Sequence, residues 1–453
     1  MNKAPDWISS AVFYHIYPLG LCGAPPRNDF TSPPVARLEA LHPWLDHLET
    51  LGVTAVYLGP VFEASSHGYD TADYFHVDRR LGTEETLAIL SDALHARGIR
   101  LVLDAVFNHV GRDFWAFRGL QQQGESSSYA DWFQNVRFGE QSPYGDPFSY
   151  EGWGGHYSLV KLNLDNGAVR SHLFDAVSAW IERFHIDGLR LDAADCIAPD
   201  FLRALAEHVR SRKQDFWLMG EIIHGDYRAW ANPETLHSVT NYECFKGLYS
   251  SFNDKNFFEI AYALNRQFGE GGLYRGIDLY NFADNHDVNR IANLLKQSAH
   301  LFPLHILLFT MPGVPSIYYG SEWGICGEKN EGDDSPLRPA IDLAVLEAAP
   351  PQPGLPGVIS RLARIRAASS ALQRGIYRQL HVSAEQFAFQ REHADSRVIT
   401  ALNASAENAV LHLPIPSDAG SAYDLLNREE IPIRAGTLPL NVAPSWGRIV
   451  ELK

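Results

Sequence analysis

The sequence contains few cysteines and comparatively few basic residues. Its four cysteines among 453 residues, Cys22, Cys196, Cys244 and Cys326, are widely separated and form no Cys-x-x-Cys pair. This scatter argues against a zinc site and against a disulfide framework, so we expect reduced thiols. Lysine and arginine number 38 against 54 aspartates and glutamates, which gives a formal net charge of −16. That balance argues against nucleic acid as a partner and favours a neutral or small ligand.

Apolar runs long enough to enter a membrane are also missing. The N-terminal stretch MNKAPDWISSAVFYHIYP has no basic segment followed by a continuous apolar segment and a small-residue cleavage site. No later run approaches the roughly 20 apolar residues that a membrane-spanning helix needs. We therefore expect a cytoplasmic protein without a membrane partner.

Eight short apolar stretches rich in β-forming residues recur along the chain, and helical patterns separate most of them. Two of these patterns, VARLEALHPWLDHLETLG and EETLAILSDALHARG, end in Gly52 and Gly98, the residue type that favours helix C-termini. Strand and helix alternating in this way predict an α/β fold, a parallel (β/α)8 TIM barrel. The predicted strands are residues 12–18, 53–59, 99–106, 188–194, 216–222, 238–243, 280–287 and 315–322.

Two stretches break the alternation. Residues 111–165 are rich in Gly, Ser, Trp, Tyr and Phe without a helical period, which predicts an inserted subdomain after strand 3. From residue 372 to 453, alternating strands such as RVITALNA and WGRIVEL predict a separate C-terminal antiparallel β domain. The barrel itself then comprises residues 1–110 and 166–371.

Polar side chains stand at the ends of four predicted strands. In GLRLDAADC, Arg190 and Asp192 alternate with Leu189 and Leu191, so the two charges share one strand face and the leucines share the other. If the leucines meet the helix layer, the charges point into the barrel. Catalytic groups of such barrels gather at the carboxyl ends of the strands. The polar residues at these ends are Asp104, Asn108, His109, Arg190, Asp192, Glu221, His286 and Asp287.

Each of these residues also has a purely structural interpretation. A single aspartate after a strand is often a helix cap, Arg190 can neutralise Asp192 or Asp104, and Asn-His-Asp at 285–287 suits a turn. Four separate strands nevertheless bring charges to the same edge of the barrel, and independent structural roles give no reason for that. We therefore interpret the group as an active site.

Three carboxylates beside an arginine suit the cleavage of a glycosidic bond. That reaction needs an acid to protonate the leaving oxygen and a carboxylate to attack the anomeric carbon, about 5 Å apart in retaining enzymes. We expect Arg190 to keep Asp192 ionised as the nucleophile, while burial keeps Glu221 protonated. A catalytic metal is the competing interpretation. No HExxH motif and no closely spaced histidine pair occurs at these strand ends, and an adjacent arginine opposes a cation, so we expect no metal and no other cofactor.

Four motifs together resemble a known family. DAVFNH (104–109), GLRLD (188–192), GEI (220–222) and NFADNHD (281–287) are similar, in order and spacing, to the four sequence regions of the α-amylase superfamily of retaining enzymes that act on α-glucosides. The resemblance runs from about residue 8 through the C-terminal β domain. It implies Asp192 as nucleophile, Glu221 as general acid/base and Asp287 as a third carboxylate that holds sugar hydroxyls, with Arg190 positioning the nucleophile.

The resemblance also implies residues that bind the sugar being transferred. His109 and His286 match family positions that contact its hydroxyls. The stretch SSHGYDTADYF contributes His67 and Tyr69, which match positions lining the same subsite, with the tyrosine ring stacking on the sugar. Taken alone, Tyr69 suits core packing equally well, so this assignment depends on the resemblance.

A further pair and several aromatic residues extend the candidate site. Asp334 and Arg338, in GDDSPLRP, resemble in spacing a family pair on the non-reducing side of the substrate, although a surface ion pair has the same spacing. Packing of a small subdomain is at least as good an explanation for the aromatic residues of the insert, but four of them are candidates for stacking on sugar rings: Trp132, Phe133, Trp153 and Tyr157.

The finer resemblance is to the neopullulanase and cyclomaltodextrinase group. It is carried by GVTAVYLGPVFEASSHGYDTADYF, by KLN at 161–163 and by GEIIH, in which Ile223 replaces the tryptophan of that group. The group acts on cyclodextrins, pullulan and short maltooligosaccharides. We therefore expect a retaining hydrolase of small cyclic or linear maltooligosaccharides. The alternatives are a transglycosylase resembling 4-α-glucanotransferase, an ordinary α-amylase, or an inactive amylase-like binding subunit.

The resemblance bears on calcium and on oligomeric state as well. Asp195 and Cys196 stand where many α-amylases have Lys-His, and the backbone carbonyl of that histidine is a calcium ligand. Asn108 alone does not supply the six to eight oxygens that calcium prefers, so we expect no calcium at this position. The expected partner is an oligosaccharide substrate, and the protein itself is expected to be a monomer or a homodimer.

Overall fold

Eight parallel strands form a barrel, as the sequence predicted. In the computed structural model, which describes residues 4–415, 419–434 and 436–452, they are β1 (Phe13–Ile16), β2 (Ala55–Leu58), β3 (Arg100–Ala105), β4 (Gly188–Leu191), β5 (Trp217–Gly220), β6 (Ser238–Val239), β7 (Tyr280–Phe282) and β8 (Val314–Tyr318). The strand order is β6-β5-β4-β3-β2-β1-β8-β7. A parallel bridge between Thr240 and Tyr280 closes the ring next to β6 and β7. The predicted domains also include residues 1–3, 416–418, 435 and 453, which lie outside the described residues.

Helices surround this barrel. The longer ones are α1 (Trp44–Leu51), α2 (Glu84–His95), α3 (Gly167–Phe184), α4 (Pro199–Arg212), α5 (Tyr242–Asn253), α6 (Phe257–Phe268), α7 (Leu301–Thr310) and α8 (Leu355–Ala368), and shorter ones span Pro18–Leu21, Ile291–Leu294, Leu343–Ala348 and Ser370–Arg374. Gly52 ends α1 in the left-handed conformation, as predicted from its position. Within the described ranges no helix is both long and apolar enough to cross a membrane.

Helix α3 leads directly into the strand that carries Arg190. Asn166 begins the helix, and its side-chain oxygen accepts hydrogen bonds from the backbone of Ala168 and Val169. The apolar residues at helical spacing, including Leu173 and Trp180, are buried. The helix ends at His185, which has a φ of +53° although it is not glycine.

A His185→Gly substitution is expected to stabilise the fold. An exposed β-carbon in the left-handed region is unfavourable, and glycine removes that strain at the cost of a more flexible unfolded chain. The expected net gain in the free energy of unfolding is about 0.5–1 kcal/mol, measured as a higher unfolding temperature in calorimetry. The matched control is His185→Ala, which keeps the β-carbon and gives no gain. A lower unfolding temperature for the glycine variant than for the alanine variant would contradict this account.

The alternation predicted for β4 is present. Leu189 and Leu191 are fully buried in the main core together with helix residues, whereas Arg190 points to the inside of the barrel. Arg190 pairs in register with Asp104 of β3 and Met219 of β5. Below this level the barrel interior is filled by a second apolar cluster, which includes Phe13, Ala55, Tyr57, Val102, Trp217, Met219, Tyr280 and Val314. The charged residues therefore stand on a packed apolar floor.

The insert after β3 differs from its prediction in one respect. Its strands His109–Gly111, Gly152–Trp153 and His156–Lys161 form a small antiparallel sheet. The sequence suggested no helix here, but residues Trp115–Gln123 form one. Its buried face consists of only Ala116, Phe117 and Leu120, which is too short a pattern to stand out among the surrounding aromatic residues.

A C-terminal β domain follows the barrel. Its strands are Ile376–Val382, Gln386–His393, Ser396–Asn403, Ala409–Pro414, Ala422–Asp424, Glu429–Ile431, Thr437–Val442 and Trp446–Leu452. They enclose an apolar cluster of their own, distinct from that of the barrel. Buried Arg391 of this domain donates a hydrogen bond of 2.9 Å to the backbone oxygen of Thr310, the last residue of α7. The domain thus satisfies a helix-end carbonyl of the barrel.

Candidate active site

One buried guanidinium contacts three carboxylates at the carboxyl end of the barrel. Arg190 Nη1 donates to Asp104 Oδ1 at 2.9 Å and to Asp192 Oδ1 at 2.8 Å. Its Nη2 lies 2.9 Å from Glu221 Oε2. The residues come from the neighbouring strands β3, β4 and β5, so the parallel register brings them together. The inward face predicted for Arg190 and Asp192 is therefore the wall of a charged site.

Arg190 has a partner that the sequence did not indicate. We predicted that it would keep Asp192 ionised, and the guanidinium contacts Glu221 as well as Asp192. Burial raises the pKa of Asp192 and of Glu221, and the guanidinium opposes both shifts. Burial raises the pKa of Asp104 as well. Since one positive charge does not neutralise three buried carboxylates, their mutual repulsion favours a shared proton within the group.

The turn after β4 fixes the orientation of Glu221. Its backbone nitrogen donates to Leu191 O at 2.9 Å, and Ala194 N donates to its backbone oxygen at 3.2 Å. Ala193 N donates to Oε2 of its side chain at 3.2 Å. Because Ala193 N donates to Oε2 and Arg190 forms an ion pair with the same oxygen, a proton on Glu221 belongs on Oε1.

His109 lies beside the other oxygen of Asp192. Its Nε2 is 3.9 Å from Asp192 Oδ2, and its ring stacks on Trp153 of the insert with 5.3 Å between centroids. Burial lowers the pKa of His109 to about 4, so the ring is neutral at pH 7. Asn108 Nδ2 lies 3.2 Å from its Nδ1. Its Nε2 is buried and has no hydrogen-bond partner among the described residues, so this nitrogen is available to a ligand hydroxyl.

Tyr69 and His286 form a stacked pair between two of the carboxylates. Their rings are nearly parallel, with centroids 5.3 Å apart. The Tyr69 hydroxyl donates to Asp104 Oδ2 at 2.9 Å and also contacts His286 Nε2. Burial lowers the pKa of His286 well below its ordinary value, so it is neutral. His67 precedes this pair, and its Nδ1 accepts a hydrogen bond from the Tyr69 backbone.

Asp287 belongs to a separate, more open network. Its Oδ2 lies 3.0 Å from His286 Nε2, and its Oδ1 accepts a hydrogen bond of 3.0 Å from Arg338. Arg338 also donates to Asp334 Oδ2 at 3.1 Å and to the backbone oxygen of His286 at 3.0 Å. The predicted pair of Asp334 and Arg338 is therefore joined directly to the third carboxylate. The Asp287 side chain is 36% exposed, against 11% for Asp192, which suits contact with an entering ligand.

Three residues with aromatic rings, on β1, directly after it and on β2, support the site and were not among the sequence candidates. Tyr57 donates to Asp104 Oδ2 at 2.6 Å, and His15 stacks on Tyr57 with centroids 4.2 Å apart. Tyr17 donates to the backbone oxygen of His67 at 2.6 Å, and Arg338 lies over its ring at 4.7 Å. The available signal was period-two alternation, which places Phe13, His15 and Tyr17 on one face.

Comparison with known proteins shows to which family this chain belongs. Residues 36–344 match the family model described as the alpha amylase catalytic domain. The chain belongs to the α-amylase family. Residues 377–448 match a second model, the maltogenic amylase C-terminal domain. The family match confirms the resemblance predicted from the four motifs, and it agrees with the barrel predicted from the alternation of strands and helices.

Relatives in this family cover the chain almost completely. Neopullulanase 2 of Thermoactinomyces vulgaris is 33% identical over 98% of this chain and 78% of its own length, and cyclomaltodextrinase of Geobacillus thermopakistaniensis is 31% identical over 98% and 77%. Among solved structures, the cyclic α-maltosyl-(1→6)-maltose hydrolase of Arthrobacter globiformis has a TM-score of 0.83 and 28% identity, covering 99% of this chain and 100% of that one. The debranching enzyme of Nostoc punctiforme has a TM-score of 0.83 and 26% identity, with 99% of each chain covered.

Proposed function

We propose that this α-amylase family member is a retaining hydrolase that cleaves α-glucosidic bonds in small cyclic or linear maltooligosaccharides through a covalent glycosyl-enzyme intermediate. The observation that carries the proposal is the contact of one buried arginine, Arg190, with Asp192 and Glu221 on adjacent strands, with Asp287 beside them on the far side of His286. The names of the relatives, neopullulanase and cyclomaltodextrinase, support the substrate class.

In the first step of the reaction, each carboxyl group uses the oxygen that Arg190 and Ala193 do not contact. Arg190 holds Asp192 Oδ1, so Oδ2 attacks the anomeric carbon of the bound sugar. Glu221 gives the proton on Oε1 to the glycosidic oxygen as the bond between carbon and oxygen breaks. The leaving sugar departs with that proton, and Asp192 becomes an ester of the remaining sugar.

The second step reverses these roles. Glu221 is now a carboxylate and takes a proton from water, whose oxygen attacks the anomeric carbon. The ester bond breaks, and Asp192 regains its carboxylate beside Arg190. Capture of the ester by a sugar hydroxyl instead of water gives transglycosylation, with the same proton transfers.

Neutral histidines and the third carboxylate hold the transferred sugar in this proposal. In the part of the chain that the structure describes, His109 Nε2 and His286 Nδ1 are buried without a hydrogen-bond partner, so each is free to bind a sugar hydroxyl. Asp287 accepts from hydroxyls while Arg338 and His286 keep it in place. Tyr69 and His67 line the same subsite, and Trp153 of the insert stacks on the ring of His109.

The proposed reaction uses no metal. Arg190 already occupies the space among the carboxylates, and a guanidinium there opposes a cation. The residues at the family's usual calcium position do not fit that ion, because Asn108 directs its amide nitrogen towards His109, and a bound cation there needs several oxygen ligands.

A cytoplasmic location belongs to the same proposal. All four cysteines are free, which suits a reducing compartment. The intracellular maltogenic amylase of Bacillus subtilis, 32% identical over 72% of this chain and 58% of its own length, supports this location.

A transglycosylase is the second candidate, because an exposed apolar residue lies near Glu221 on the side where an acceptor sugar would enter. Ile223, two residues after the proposed acid/base, is apolar and 45% exposed. An exposed apolar side chain there offers a contact surface to a sugar that enters as acceptor. This candidate shares the covalent intermediate and differs in what captures it.

The substrate panel tests both candidates. Purified protein is incubated with cyclodextrins, other cyclic glucooligosaccharides, linear maltooligosaccharides, pullulan and starch, and the products are resolved by size over time. We expect ring opening and cleavage of short chains with little attack on starch. Preferential cleavage of starch would identify an ordinary α-amylase instead, and products longer than the substrate would identify a glucanotransferase. The absence of any turnover on the whole panel would contradict the hydrolase proposal and favour a binding subunit.

A further inference from the structure

The residue that follows Asp192 has an unusual backbone conformation. Ala193 has φ +44° and ψ +44°, in the left-handed region, and it is only 3% exposed. This conformation is unfavourable for a residue with a β-carbon, and glycine is absent here although it would adopt it freely. Such conformations in a buried turn beside reactive groups indicate that the surrounding contacts enforce the backbone geometry.

Two successive N–H groups of this turn donate to Glu221. Ala193 N donates to its side-chain Oε2 at 3.2 Å, and Ala194 N donates to its backbone oxygen at 3.2 Å. A left-handed residue followed by a right-handed one directs two successive N–H groups into the same concavity, which is a recognised geometry for binding anionic oxygen. The nucleophile's own strand end therefore holds the neighbouring carboxylate on its Oε2 side.

We propose that Ala193 is a positioning residue, whose left-handed backbone directs its N–H to Oε2 of Glu221 and so turns Oε1 towards the leaving oxygen. The inference rests on the assignment of Glu221 as acid/base under the proposed function. It adds a backbone group to the side chains that orient the acid, and it couples the position of the acid to that of the nucleophile one residue earlier.

The proposal has a consequence for the pH profile. The groups that face Glu221 are Arg190, Asp192, Asp195, Asp287 and Tyr242. Burial raises the pKa of Glu221, whereas Arg190 and the Ala193 N–H oppose the increase because they stabilise the ionised form. Without the Ala193 N–H, the pKa of Glu221 rises further. Since the protonated acid is the active form in the first step, the basic limb of kcat/KM then moves to higher pH.

The experiment compares Ala193→Val with a matched variant, Ala394→Val. Valine does not fit the left-handed region, so the first variant displaces the turn. Ala394 also has a positive φ, +50°, but it is exposed. It lies in the hairpin turn between the strands Gln386–His393 and Ser396–Asn403 of the C-terminal domain. Both variants are expected to lose thermal stability. Only Ala193→Val is expected to lower kcat, by about tenfold to a hundredfold, with KM changed less than about threefold.

A second variant removes the hydrogen bond alone. Lactic acid incorporated at position 193 replaces the backbone N–H by an ester oxygen and keeps the methyl side chain. We expect the basic limb of kcat/KM to move up by about half to one pH unit in this variant, and the same replacement at position 394 to leave the limb where it is. An unmoved basic limb in a folded ester variant at position 193 would overturn the inference, whether or not Ala193→Val folds.

Failure of the proposed function gives a different result. If Glu221→Gln keeps the activity of the unsubstituted protein, Glu221 is not the acid/base and the basic limb belongs to another group. If Glu221→Gln loses activity while the ester variant keeps the ordinary pH profile, the acid/base assignment stands and the role of Ala193 is wrong.

Discussion

Asp192→Asn is expected to lower kcat on a maltooligosaccharide by a factor on the order of 10⁴ or more, with the fold intact. Asparagine has the size of aspartate and can still accept from Arg190, but its amide does not form the covalent ester with the sugar. The measurement is the rate of product release at saturating substrate, together with circular dichroism to verify folding. Asp200→Asn is the matched control, since Asp200 is an exposed aspartate on α4 that pairs with Arg170.

The same substitution is expected to raise the unfolding temperature. Burial disfavours the charged form of Asp192, and Asp104 and Glu221 repel it at close range. A neutral side chain relieves both effects, and we expect a gain of about 1–2 kcal/mol at neutral pH. The stabilisation depends on pH, because the pKa of Asp192 is higher in the folded protein than in the unfolded chain. Above the ordinary pKa of aspartate, the ionised side chain therefore destabilises the fold, and asparagine removes this cost. As the pH falls below that ordinary pKa, Asp192 is protonated in both states and the gain from asparagine disappears. Turnover close to that of the unsubstituted protein would refute the role of nucleophile.

Glu221→Gln is expected to lower kcat on maltooligosaccharides by about 10²–10⁴. The loss depends on the substrate, because the missing proton matters most when the leaving group is a sugar alkoxide. An α-maltosyl fluoride needs no protonation of its leaving group, so its cleavage is expected to fall much less. The comparison of the two substrates in the same variant distinguishes a missing acid from a damaged site.

The pH profile gives an independent check on this variant. Burial and the neighbouring carboxylates raise the pKa of Glu221, so activity is lost only as the pH rises through a value above the ordinary range of glutamate. Glutamine has no such transition, so the basic limb of kcat/KM on the maltooligosaccharide is expected to disappear from the residual activity of the variant. Glu234→Gln is the matched control, because Glu234 is an exposed glutamate in the loop after β5. A basic limb that persists unchanged in Glu221→Gln would assign the acid to a different residue.

The barrel was predictable from the sequence because its signals are local. Each strand is a short apolar run, and alternation along β4 was enough to place Arg190 inside and the leucines outside. The ends of parallel strands meet at one edge whatever the side chains are, so Asp192, Glu221 and Asp287 were expected to lie together before any distance was known. The family motifs then gave each residue a role.

The features that escaped prediction depend on contacts between distant segments. That Arg190 reaches Glu221 as well as Asp192 follows from the register of β4 against β5, which no local pattern encodes. Tyr57 of β2 contacts Asp104 of the adjacent strand β3 in the same way. The left-handed Ala193 was hidden because alanine is a common residue in helices and strands, whereas glycine would have marked the turn. The helix at Trp115–Gln123 was missed because its apolar face is only about two turns long.

Buried Arg391 restricts how the barrel and the C-terminal β domain can be exchanged separately in evolution. Its guanidinium donates to the oxygens of Thr310, at the end of a barrel helix, and of Gly375, at the start of the β domain. A recombination event that joined this barrel to a β domain without such an arginine would leave a helix-end carbonyl buried and unsatisfied. A replacement β domain therefore has to bring its own donor at this position, which restricts the domains that this barrel can acquire by exchange.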